Sequence, residues 1–279
     1  MKLSIGGYSF NHLSLEGKMD VFGYLESVKF RYGLDAVDLW NAQIAERTTP
    51  LLTLADDSYL KKVREALDEK GLRLVNLAVD TAHLWDPDPD RRAALRTNAM
   101  AHLRAGVILG AETVRIDTGG YGSDRFSDEA FDHIVRGFRE YCKFARDNGI
   151  RIGPENHMGP SLVPGELKRL AQAVDDPAFG ILLHMGRWNE EREGGDELVA
   201  PWVFHTHFDA RTAASPESAQ TVAMLRRAGF DGYWAIEHNA TDEPYAQIAA
   251  LLEQAESRLV EAGISPRRQP LFRRGGQQE

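Results

Sequence analysis

Six side chains able to hold a metal or move a proton stand at or near the ends of short apolar runs in the second half of the chain. Glu155 closes IRIGPE, His184 closes FGILLH, His205 and His207 lie late in WVFHTHF, and Glu237 and His238 lie late in YWAIEHN. Alternate residues of a strand share a face. His205 and His207 therefore point the same way. Glu237 shares a face with Ala235, small enough for a crowded interior, and Glu155 shares one with Gly153 and Arg151, leaving Ile150 and Ile152 to the other side. Where such strands end side by side, two carboxylates and at least two imidazoles meet. A carboxylate in a partly dry cavity needs a cation, a proton or hydrogen bonds, and one divalent metal answers both carboxylates together. Taken singly, each residue has a plainer use: a glutamate paired with an arginine, or a histidine bonded to a backbone carbonyl.

The elements that must position these groups follow from the alternation along the whole chain. Eight β-rich runs (2–10, 34–40, 72–80, 112–118, 150–155, 179–184, 202–208 and 233–239) alternate with amphipathic stretches whose apolar residues recur at three- and four-residue spacing, such as YLKKVREALDEKG. Several helical stretches end in Gly followed at once by an apolar residue (KGLRLV, LGAETV, NGIRIG), the signature of a left-handed helix stop running straight into a strand. Eight βα units in 279 residues average about 35 residues each, which suits a single-domain (β/α)8 TIM barrel. A doubly wound sheet would usually carry a Gly-rich phosphate loop after its first strand, and GGYSFNHLSLEG has no G-x-G-x-x-G pattern. In a barrel, the C-terminal strand ends converge on one mouth, which explains why polar residues gather there. We expect residues 1–263 to form the barrel and 264–279 a basic, flexible C-terminal tail.

The 42 acidic residues exceed the 33 basic ones, giving a net charge of −9. That argues against a general nucleic-acid or anionic-membrane binder, which would need a basic surface. No apolar run approaches the roughly 20 residues of a membrane span, and MKLSIGGYSF lacks a signal-peptide pattern, so the expectation is a cytoplasmic protein. The single cysteine, Cys142, falls in a helical stretch and reads as a small buried hydrophobe. The DPDPD run from Asp86 to Asp90 lacks the Gly and terminal Glu of a calcium loop and reads as a turn with a helix cap. Tyr8, Phe10, Trp40, Trp85 and Trp188 fall near strand ends or in mouth loops, where packing is their ordinary role and stacking on a sugar the alternative.

With PENH ending the fifth strand, FHTHFDA on the seventh, YWAIEHN on the eighth, and NLAVDTAHLWDPDPDRRAAL leading to LGAETVRID, the chain resembles the xylose isomerase-like TIM barrel superfamily over about residues 2–262. Within it, the sugar phosphate isomerase/epimerase group and the ketose 3-epimerases are most similar. The resemblance implies a divalent metal on Glu155, His184, His205 and Glu237. It also implies that Glu155 and Glu237 act as catalytic bases, moving a proton next to a carbonyl through a cis-enediolate. His184 departs from the pattern, since ILLHMGRW has His where the family usually has Asp. Two imidazoles and two carboxylates favour Mn2+, with Co2+, Fe2+ or Zn2+ as competitors, over Mg2+. Aligned without a gap, FHTHFDAR makes Arg211 a substrate-binding arginine. Arg187, beside His184, and His157, beside Glu155, are further substrate-binding candidates, and Arg115 shares a face with Asp117.

The function so implied is a metal-dependent isomerase or epimerase of a small sugar or sugar acid, with a carbohydrate as its partner and a homo-oligomer possible. The alternatives are a lyase or dehydratase on the same scaffold, or a metal-free sugar-binding barrel in which His184 has cost the site its ion. An endonuclease IV-like repair enzyme would need more His and Asp ligands and a basic face, against which the net charge counts.

Overall fold

The computed structural model of the protein describes residues 1–48, 50–54, 56–189 and 193–267. All eight anticipated strands are present, shortened at their ends: β1 (Leu3–Ile5), β2 (Ala36–Trp40), β3 (Arg73–Val79), β4 (Thr113–Ile116), β5 (Arg151–Gly153), β6 (Ile181–His184), β7 (Val203–Phe208) and β8 (Trp234–Ile236). They pair in parallel as β1-β8-β7-β6 and β2-β3-β4-β5. Two seams close the ring. Gly6 bridges to Asp38 between β1 and β2, and Ile152 and Glu155 bridge to Phe179 and Leu182 between β5 and β6. Helices follow the strands, the longest being 57–70, 89–109, 128–148 and 244–261. This is the expected (β/α)8 barrel.

The local chemistry follows the expected logic. Gly149 ends the 128–148 helix at φ 69 and sends the chain directly into β5, a conformation costly for any residue with a Cβ. Asp88 caps the 89–109 helix through the Asp90 and Arg91 amides, with Pro89 in its first turn, so DPDPD is indeed a turn and cap. One element was not anticipated. Residues 45–48 and 51–54 pair as an antiparallel hairpin, held where Leu52 N donates to Thr81 Oγ1 and Asn98 Nδ2 donates to Leu52 O. Of the tail, Ile264–Arg267 are described, and Arg267 reaches Tyr32 O at 3.2 Å. Residues 268–279 lie outside the described residues. No helix among the described residues is long and apolar enough to cross a membrane.

The β5/β6 seam is the tightest point of the ring. A Cβ on Gly153 would fall 1.6 Å from Gly180 O, where Gly180 N donates to Ile152 O and Leu182 N donates to Pro154 O. This contact brings Glu155 in from the edge. Cys142 is fully buried in the 128–148 helix, and burial pushes its thiol up to about 12.

Two outcomes follow. Gly153→Ala should destabilise the protein by about 3 kcal/mol, the upper end of overpacking costs, measured as a lower denaturation midpoint. Iodoacetamide at pH 8 should leave Cys142 unlabelled in native protein and label it fully in denaturant; rapid native labelling would contradict its burial.

Candidate active site

The strand register decides which histidines meet. His184 on β6 lies opposite His207 on β7, whereas His205 lies opposite Leu182, one layer deeper. A bulge between Ile181 and Leu182 sets this offset by giving β7 one extra residue. Glu237 follows β8 and is tied to β7 by its amide, which donates to Phe208 O at 2.8 Å. Asn156 fixes the end of β6: its Oδ1 accepts from His184 N at 2.7 Å and its Nδ2 donates to the carbonyls of His184 and Arg187.

Four side chains converge as a result. Glu155 Oε1 lies 3.4 Å from His184 Nδ1 and 3.3 Å from His207 Nδ1, and Glu237 Oε2 lies 3.6 Å from both nitrogens. One ligand atom from each of Glu155, His184, His207 and Glu237 falls within 4.8 Å of all the others. His205, expected among the ligands, lies outside this group of four and instead forms a second close group with Asp38 and His207. Its Nε2 is 2.8 Å from Asp38 Oδ2, and it supports His207 from below instead of joining the four. His207 Nε2 meets the same Asp38 oxygen at 3.0 Å, and His184 Nε2 lies 3.3 Å from Asp209 Oδ2. Each inward imidazole thus has a carboxylate behind it, the usual support of a metal-binding histidine.

The electrostatics suit a cation. Burial alone would raise the Glu155 carboxyl, yet His157, His207 and His184 hold it well below the ordinary range. Asp38 is likewise held down by His205 and His207 against its burial. His207 is pushed well up, against desolvation, by Glu237, Glu155 and Asp38. A proton on His207 thereby meets the demand of converging lone pairs, and a divalent ion on the same four atoms would meet it equally. The donor set fits such an ion.

The other expected residues surround this group. Arg187 half-covers it, with Nη1 3.4 Å from Glu155 Oε1 and Nη2 3.9 Å from Glu237 Oε2. His157 lines the cavity and contacts Asp117 Oδ2 through Nδ1 at 3.0 Å. Burial lowers its pKa, but Asp117 and Glu155 outweigh that and bring it up to about 9. Arg115 is a buried hub bonded to Asp80 and Asp117, with Nε 3.3 Å from Glu155 Oε2. Arg211 lines the rim, largely exposed and 3.9 Å from Asp209, without reaching the four converging side chains. Tyr8 and Trp40 form an edge-on pair in the wall. Phe10 and Trp188 are buried, the latter donating to Asp196. The cavity holds about 550 Å³. Sequence reading missed Asp38 and Asp209, and it placed His205 and not His207 among the four. The signal for Asp38 was a lone acid inside the apolar run AVDLW.

A family model described as xylose isomerase-like TIM barrel matches residues 30–257. Among solved structures, a D-psicose 3-epimerase determined in the presence of D-fructose aligns with TM-score 0.70 at 18% identity, covering 93% of this chain and 97% of that one. A 3-keto-D-glucoside 4-epimerase from E. coli aligns with TM-score 0.72 at 14% identity, over 92% and 99%. A probable 3-DHS dehydratase involved in petrobactin synthesis from Bacillus anthracis aligns with TM-score 0.65 at 17% identity, over 90% and 99%. At these identities the likeness shows the fold. No curated protein matches the chain.

Titration with Mn2+ or Co2+ separates the two histidines of β7. His205→Ala and Asp38→Asn should weaken binding by about 10–100-fold, the range typical of groups that support ligands. His207→Ala should lose more than that. Equal losses for His205→Ala and His207→Ala would contradict the register-based assignment.

Proposed function

The chain belongs to the xylose isomerase-like TIM barrel family, and on that premise we propose that it is a divalent-metal-dependent isomerase or epimerase of a small sugar or sugar acid. The observation that carries this reading is the convergence of Glu155, His184, His207 and Glu237 within 4.8 Å at the strand ends. In this reading those four residues hold the ion, Mn2+ ahead of Mg2+ because half the donors are imidazoles. When bound, such an ion supplies electrophilic stabilisation of negative charge developing on a substrate oxygen.

The protein's own groups account for the rest. A carbon acid beside a carbonyl is weak, so proton removal needs a positioned base and proton return needs a second group. Glu237 is the more open carboxylate, about one-fifth exposed and 3.6 Å from each imidazole, so it can exchange its proton with water. Glu155 is almost fully enclosed, and Arg115 and Arg187 approach its two oxygens. It is the fixed member of the pair, kept in place by cations on both sides. Arg187, spanning both carboxylates, and His157, braced by Asp117, orient substrate oxygens; Arg211 contributes from the rim. Trp40, anchored to Asp80 through Nε1 at 2.7 Å, gives the cavity an apolar wall that helps exclude water.

A dehydratase reading is also supported by the His157–Asp117 pair, because an imidazole charged near neutral pH and facing the cavity can protonate a departing hydroxyl. A cytoplasmic location, homo-oligomerisation and a separate basic tail over 264–279 belong to the same proposal.

Incubation of metal-loaded protein with ketoses, aldoses and keto acids of sugars in D2O provides the test. We expect deuterium at the carbon next to the carbonyl, with an epimer or isomer appearing by NMR. Glu155→Gln and Glu237→Gln should each slow the exchange by about 10²–10⁴-fold. A new conjugated absorbance would favour dehydration, and absence of exchange from every sugar would refute proton transfer.

A further inference from the structure

A second cavity of about 480 Å³ lies beside the mouth, bounded by His83, Trp85, Arg91, Tyr121, Arg125 and Pro160. Its size falls within the roughly 300–1,000 Å³ of ordinary ligand pockets. It is built by extending the β3/β4 pairing beyond the barrel. Leu84 N donates to Asp117 O at 3.1 Å and Trp85 N donates to Thr118 O at 2.8 Å, which places Trp85 against Gly119.

The loop that follows is GGYG. Gly119, Gly120 and Gly122 all take positive φ, at 79, 87 and 82, a conformation that residues with a Cβ rarely adopt. Space also demands glycine: a Cβ at Gly119 would fall 2.1 Å from Trp85 O, and one at Gly120 would fall 3.1 Å from Pro160 Cδ. The outcome of this constrained path is that Tyr121 is held with 62% of its surface exposed, touched edge-on by the His83 ring at 5.5 Å. An exposed aromatic on a tightly fixed backbone is not accounted for by core packing.

The lining indicates what the cavity would take. Arg91 Nε lies 3.2 Å from Asp86 Oδ2, and Arg125 Nε lies 4.0 Å from Glu166 Oε1. With both cations balanced by acids, a phosphate gains little there. Neutral hydroxyls, by contrast, find donors and acceptors at Asp86, Arg91, Ser123 and Ser127 together with an aromatic face. Asp117, buried and in neither lining, is a neighbour of residues in both cavities. It contacts His157 in the mouth and bears electrostatically on both His83 and Tyr121.

We infer that this cavity is a second sugar subsite, so that the substrate is a keto sugar carrying a further glycosyl ring and not a free monosaccharide. The substrate class rests on the isomerase or epimerase reading of the mouth; the subsite itself does not.

The test compares metal-loaded wild type with Tyr121→Ala, which removes the ring, and Ser123→Trp, which fills the cavity. Binding of D-fructose, lactulose, leucrose and isomaltulose is measured by calorimetry, and deuterium exchange is followed in parallel. The disaccharides hang the second ring from different oxygens of the same ketose. We expect at least one to bind about tenfold tighter than D-fructose in the wild type, the order of one aromatic contact plus hydrogen bonds. Both variants should lose that preference. No preference in the wild type, or a preference unchanged in both variants, would overturn the subsite, even where D-fructose exchanges deuterium. A preference lost in both variants, with no sugar exchanging deuterium, would leave the subsite standing and remove the isomerase reading.

Discussion

Asp38 lies about 1% exposed, with the imidazoles of His205 and His207 2.8 and 3.0 Å from one of its oxygens. Its other oxygen accepts from Asn76 Nδ2 at 2.8 Å, and Thr113 Oγ1 in turn donates to Asn76 Oδ1. A buried carboxylate without such partners would be costly enough to take up a proton. Paired in this way it does the reverse, fixing which nitrogen each imidazole turns upward. The inward direction of His207 Nδ1, on which the converging group depends, is set by this buried acid, which itself lines the inner wall of the cavity.

The second constraint is the closeness of β5 and β6. Parallel strands normally meet through a ladder, but β5 is three residues long and is followed by Pro154, which has no N–H to donate. The seam survives because Gly153 and Gly180 let the two backbones approach and because Pro154 O still accepts from Leu182 N. Glu155 is therefore delivered by a strand end too short to carry it alone. Arg115 then fills the space below, tying Asp80, Asp117 and Glu155 into one charged layer. The barrel interior at this level is polar, and its stability depends on every charge having a partner.

The eight strands, the glycine helix stops, the Asp88 cap and the buried Cys142 were legible in the sequence because each rests on local chemistry. So was the inward face of Glu155, which needs only the two-residue period of a strand. The choice between His205 and His207 was not. Both satisfy the same parity, and what separates them is a one-residue bulge against a neighbouring strand, a property of two segments more than twenty residues apart. A gapless alignment of FHTHFDAR carries that same ambiguity. Asp209 was overlooked because a loop aspartate after a strand reads as a helix cap. It is one, accepting from Thr212 N at 2.6 Å, and its second oxygen is the one that faces His184. The hairpin at 45–54 escaped because its strands are four residues each and depend on Thr81 and Asn98 for support.

Asp209 also bears on the departure at His184. Read from the sequence alone, a histidine in place of an aspartate removes one negative charge from the site and invites the conclusion that the ion has been lost. In the structure a carboxylate remains nearby: Asp209 stands 3.3 Å behind His184 Nε2. Burial would raise its pKa, but His184 and the Thr212 amide hold it below the ordinary carboxylate range. This negative charge stands one imidazole further out than Glu155 and Glu237. His207 backed by Asp38 repeats the arrangement on the other side, so the two imidazoles form matched carboxylate-supported donors flanking Glu155 and Glu237. The pairing of His184 with Asp209 gives this imidazole the carboxylate backing typical of a metal-binding histidine, which is what the proposed divalent site requires of it.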